Sequence, residues 1–161
     1  MARPNPIRAV MESPLPSITF QRQRGFRVGP GDIKYAYKIL NRYVFDNQLR
    51  RPEIEYGITR GYWGLCVGHT LEQDSGSYCS LKISDKYFCA QWFLNVLAHE
   101  MAHQYQWDVI APERMESGLR PLLSHGPSFF IWRERMEYYG LYLKTAHGQR
   151  RWFHYQDFRR C

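Results

Sequence analysis

Leu94-Asn95-Val96-Leu97-Ala98-His99-Glu100-Met101-Ala102-His103 belongs to the most apolar segment of the chain, and it sets two histidines four residues apart with a glutamate between them. With Phe93 in the same run, the pattern predicts a buried helix over about 91–107, with Ser84 and Asp85 as N-cap types ahead of it. Residues four apart lie about 40° from each other on a helix, so His99 and His103 share a face and can grip one ion together. Glu100 lies about 100° round from His99, beside such an ion rather than on it. From there its carboxylate can take a proton from a metal-activated water and return it to a leaving amine. Neutral imidazole suits Zn2+. HExxH by itself is a short pattern that occurs by chance. An ionisable His-Glu-His group in apolar surroundings, however, is costly to bury without a metal or another partner.

A catalytic zinc takes three protein ligands and keeps a position for water. The extended metzincin motif needs glycine and histidine where this chain has Gln106 and Val109, so that class is excluded. Candidates for the third ligand are His125, His147, His154, Glu113 and Glu116. His125 is preferred, because the turn Ser124-His125-Gly126-Pro127 opens a helix and would hold the ring rigidly.

Working outward, Tyr35, Ala36, Ile39, Leu40 and Tyr43 recur at helical spacing and predict a helix from Asp32 to about Asp46. Between Pro52 and Ser84 the pattern changes to short runs broken by glycine, at 53–58, 62–70 and 78–83. In the last run Cys79, Leu81 and Ile83 alternate with Tyr78, Ser80 and Lys82. A small three-stranded sheet follows. A loop with Pro112, Gly118 and Pro121 should separate the central helix from a last one over about 127–139, stopped by Gly140. The expected fold class is α+β: a short three-stranded sheet beside the central helix, with flanking helices.

The chain divides by charge. Residues 1–30 hold five Arg against Glu12 alone, together with five prolines, and read with Gly31 as a basic arm over 1–31. Residues 32–143 form the expected domain, and 144–161 a basic aromatic tail. The neutral middle and basic ends point to an anionic partner, of which nucleic acid is the commonest, or serve only to keep the protein in solution. Arg150, Arg151, Trp152, Arg159 and Arg160 mix cations with rings, which can hold phosphates and stack bases or pack onto the domain or a protein partner. The four cysteines form no CxxC pair, so neither a disulfide framework nor a four-cysteine zinc ribbon is expected. No apolar run is long enough to span a bilayer, and the proline-broken N-terminus lacks a signal-peptide core. A soluble protein of the reducing cytoplasm, with no membrane partner, is the expectation.

Leu97-Ala98-His99-Glu100-Met101-Ala102-His103, followed by His125-Gly126-Pro127-Ser128-Phe129, resembles the SprT-like zinc metallopeptidases. Tyr43 to Leu49 with Pro52, Gly61 to Cys66, and Leu81 to Ser84 resemble the upstream parts of that family, so the likeness spans about residues 33–143. The resemblance implies a zincin-like domain, zinc at His99, His103 and His125, and catalysis by Glu100. Spartan-type members act on proteins bound or crosslinked to DNA and find it with separate DNA-binding parts. This chain has no CxxC pairs after the domain, and in this reading its basic ends would take over that task.

Three functions follow as expectations. The first is a zinc endopeptidase acting on a protein substrate, with Tyr138, His69 or Arg133 as candidates to stabilise the oxyanion. The second is a non-catalytic module that keeps the fold and docks into a larger assembly through its arm or tail. The third is a nucleic-acid-binding accessory protein, whose binding would weaken steeply with salt.

Overall fold

The computed structural model describes residues 7, 26–57, 61–87, 89–118 and 125–145. They form a mixed α+β arrangement of five strands and five α-helices. β1 (Phe26–Arg27) leads into α1 (Pro30–Tyr43), which starts two residues before the expected Asp32. Pro30 fits the first turn, where its missing N–H costs nothing, and the Asp32 carboxylate turns back to accept the Gly29 N–H at 2.7 Å. Ile33, Ala36, Tyr37 and Leu40 form the buried face of α1. Ile7, Phe26 and Val28 are buried in the same core, so part of the stretch read as an arm is packed against the domain.

The three runs expected to be strands are β2 (Glu53–Gly57), β3 (Gly64–Gly68) and β4 (Cys79–Ser84). β4 lies between the others, parallel to β2 and antiparallel to β3. Cys79, Leu81 and Ile83 are fully buried, as the alternation predicts, and carry the sheet's apolar face. An unexpected second sheet pairs β1 with β5 (Lys86–Tyr87).

β5 occupies the ground expected to lead into the central helix, so α2 (Ala90–Tyr105) is capped not by Ser84 or Asp85 but by Cys89, whose Sγ accepts the Trp92 N–H. From Trp92 to Tyr105 every residue of α2 except His103 is buried. This helix is apolar nearly all round, as one enclosed by other elements must be. Cys66 and Cys79 are free thiols, whereas Cys89 is disulfide-bonded.

Beyond α2 the chain does not enter the expected loop. It passes through a π-helical turn at Gln106–Ile110 into α3 (Ala111–Glu116). Pro112 falls in the first turn of α3, where proline is tolerated, so it does not end the helical run. Tyr37, Gln104, Asp108 and Ser77 tie this region to α1 and the β3–β4 hairpin. Gln104 accepts from the Tyr37 hydroxyl at 2.9 Å and donates to Asp108 at 2.8 Å, and Asp108 accepts from the Ser77 hydroxyl at 2.9 Å.

The final helix is split into α4 (Pro127–Phe130) and α5 (Arg133–Tyr138), and Gly140, at φ 81°, stops it as expected. The chain then returns along α2, with Leu141 and Leu143 buried and the Tyr142 N–H given to Asn95 Oδ1 at 2.9 Å. No helix among the described residues is long and apolar enough to cross a membrane.

Candidate metal centre

The four-residue spacing on α2 places His99 and His103 side by side, and the turn before α4 brings His125 to them. The His125 Nε2 atom lies 3.1 Å from His103 Nε2 and 3.2 Å from His99 Nε2. Four ligands at zinc–nitrogen distances of about 2.0–2.1 Å stand roughly 3.3–3.4 Å apart around a tetrahedron, so these spacings fit one ion. The three residues form a group whose donor atoms could hold a metal. His99 is buried, His103 half-buried and His125 exposed, so the group is closed on the helix side and open on the other.

The outer faces of the α2 rings are also fixed. His99 Nδ1 lies 2.9 Å from the main-chain carbonyl oxygen of Lys144. A carbonyl only accepts, so the ring donates from Nδ1 and its Nε2 carries the bare lone pair. His103 Nδ1 lies 2.9 Å from Gln106 Oε1, which assigns the same tautomer. Two lone pairs thus point at a third imidazole nitrogen about one van der Waals diameter away, an arrangement that a shared cation or proton relieves. Burial pushes the pKa of both His103 and His125 down, which favours the neutral form that binds metal. Phe129, fully buried, packs against all three rings with centroid separations of 4.9, 4.5 and 4.8 Å.

Glu100 is only 7% exposed. Its Oε2 accepts the Cys66 N–H of β3 at 2.8 Å. Burial raises its carboxyl from 4.5 to about 7, against the lowering effect of that hydrogen bond. The close approach depends on Gly64, where a Cβ would stand 2.8 Å from Glu100 Cγ. Cys66 and Gly64 carried no signal for this role, because a backbone N–H and a missing side chain leave no mark in a motif.

The other candidates lie elsewhere or outside the described residues. His69 Nε2 meets the Ser80 hydroxyl at 3.1 Å, and Arg133 stacks on the Phe130 ring at 4.1 Å. Tyr138 is 78% exposed, in an open groove with Arg42, Asp46 and Arg135. Glu113 and Glu116 sit on α3 and are not part of the histidine group. His147, His154, Arg150, Arg151, Trp152, Arg159 and Arg160 fall outside the described residues. No protein-family model, curated protein or solved structure matches the chain.

Proposed function

We propose that this protein is a zinc-dependent metallopeptidase with a zincin-like, SprT-like domain. The observation that carries the reading is that His125 Nε2 lies within hydrogen-bonding distance of both His99 Nε2 and His103 Nε2, with a buried carboxylate one residue from His99. His99, His103 and His125 would hold the ion. Three neutral nitrogen donors suit zinc better than calcium or magnesium, which prefer oxygen. When bound, zinc polarises a carbonyl and makes a water acidic enough to react near neutral pH.

The remaining work falls to the chain. Glu100 shares one oxygen with the Cys66 N–H and keeps Oε1 to receive a proton and pass it to the leaving amine. Its low exposure keeps bulk water from levelling that proton affinity. Among the described residues no strand pairs with the outer edge of β3, and that edge meets Glu100, which supports an extended peptide as the substrate. The basic stretches at 1–30 and 144–161 support a protein substrate associated with DNA.

The test pairs zinc analysis with cleavage of a denatured protein and of a peptide library. Wild type should bind one zinc and cleave. Glu100→Gln should keep the zinc and lose activity by about 10²–10⁴-fold. Bound zinc with no Glu100-dependent cleavage would reject the enzyme and leave the docking module. Binding to single- and double-stranded DNA that is absent or indifferent to salt would reject the DNA-associated substrate.

A further inference from the structure

Resting on that reading of the three histidines, we infer that Gln106, backed by Ser128, is the positioning residue that sets the His103 ring for metal. Gln106 is fully buried, so both ends of its amide need partners. Oε1 meets His103 Nδ1 at 2.9 Å, and Nε2 donates to Ser128 Oγ at 2.8 Å. Ser128 lies on α4, three residues after His125. One amide therefore links a ligand on α2 to the short helix that presents the other ligand.

The local backbone supports this placement. Gln106 closes α2, its N–H shared between the Ala102 and His103 carbonyls, and its own carbonyl accepts the Ala111 N–H in the wider π-helical ring. Such single π-turns occur mostly where a side chain must be aimed. Here the wide turn begins at the residue that grips the ligand. With the amide oxygen toward His103 and the amide nitrogen donating to Ser128, His103 keeps its proton on Nδ1 and offers Nε2. Asp108, within the same turn, faces the other way into the Gln104–Ser77 network and belongs to the scaffold.

The chemistry separates the variants. Gln106→Leu fills a similar volume but cannot accept from Nδ1. Gln106→Glu still accepts, makes the ring a more basic ligand, and can receive the Ser128 hydroxyl proton in place of the amide donor. Ser128→Ala removes the acceptor of the amide N–H on α4.

The experiment measures zinc affinity by competition with a chromophoric chelator, the visible spectrum of the cobalt-substituted protein, and the melting temperature of the metal-free protein. Gln106→Leu should weaken zinc binding by about 10–100-fold and alter the cobalt spectrum. Ser128→Ala should weaken it by a smaller factor, and Gln106→Glu should restore affinity to within about threefold of wild type. A purely structural amide would lower the melting temperature in all three variants and leave the zinc affinity of the folded protein unchanged, which would overturn the inference. Should Gln106→Leu fail to fold, an unchanged affinity and cobalt spectrum in Ser128→Ala would overturn it equally. Absence of stoichiometric zinc in wild type would instead refute the metal centre itself.

Discussion

Glu100 and Cys66 are joined by a 2.8 Å hydrogen bond from strand backbone to helix carboxylate, so the buried acid is aligned by the sheet as well as by its own helix. The bond exists because Gly64, two residues earlier on β3, leaves room for the glutamate stem. A methyl group there would fall 2.8 Å from both Glu100 Cγ and Val96 Cγ1. Gly64→Ala should therefore bind zinc normally, lose about 1–3 kcal/mol of stability through overpacking, and lose at least about tenfold in kcat/KM as the carboxylate shifts. Cleavage assays beside zinc analysis check this. Activity within twofold of wild type would show that the placement of Glu100 does not depend on the glycine.

The same acid gives the metal-free protein a pH signature. Burial raises the Glu100 carboxyl from 4.5 to about 7, so between those values the folded chain holds a proton that the unfolded chain has released. Its contribution to stability is full below about pH 4.5 and is lost as pH rises through 7, on the order of 3 kcal/mol in all. His103 and His125, whose pKa values burial lowers, act in the opposite direction over this range, so the Glu100 share is read by difference: in urea unfolding with a chelator, wild type should lose more stability, or gain less, between pH 5 and pH 8 than Glu100→Gln. Equal changes in the two proteins would contradict it.

His125 is exposed and reaches the other histidines from a separate element, so it can be removed with little effect on the core. His125→Ala should weaken zinc by more than the roughly 100-fold ceiling expected for loss of an outer partner, with the metal-free melting temperature nearly unchanged. Chelator competition and a thermal scan measure the two. Full retention of zinc would exclude His125 as a ligand.

Away from the centre, the Tyr37 hydroxyl donates to Gln104 and approaches the Arg50 carbonyl at 3.1 Å. Tyr37→Phe leaves the buried Gln104 oxygen without that donor and should cost about 1–3 kcal/mol while leaving zinc affinity untouched. Denaturant melts and zinc titration would reveal whether this network is scaffold alone.

The parts of this architecture that a sequence displays are those with a period or a spacing. The apolar run around His99 made α2 legible, the alternation at Cys79, Leu81 and Ile83 made β4 legible, and the four-residue step made the histidine pair legible. His125 stood out because glycine and proline marked a rigid turn. Two-residue strands such as β1 and β5 are too short to show a period. Pro112 reads alike as a loop breaker and as a helix's first turn, and the π-turn at Gln106 has no compositional mark. The partners of the rings were hidden for a different reason. Lys144 and Cys66 act through main-chain atoms, and the pairing of Gln106 with Ser128 exists only once α4 has packed against α2.

The two outer contacts on α2 differ in what can take them away. Lys144 holds His99 with a carbonyl oxygen, a group that every one of the twenty amino acids would supply at that position. His103 leans on an amide that a single nucleotide change can abolish. Of these two outer contacts, the one at His99 therefore survives a change of side chain at its partner, and the one at His103 does not.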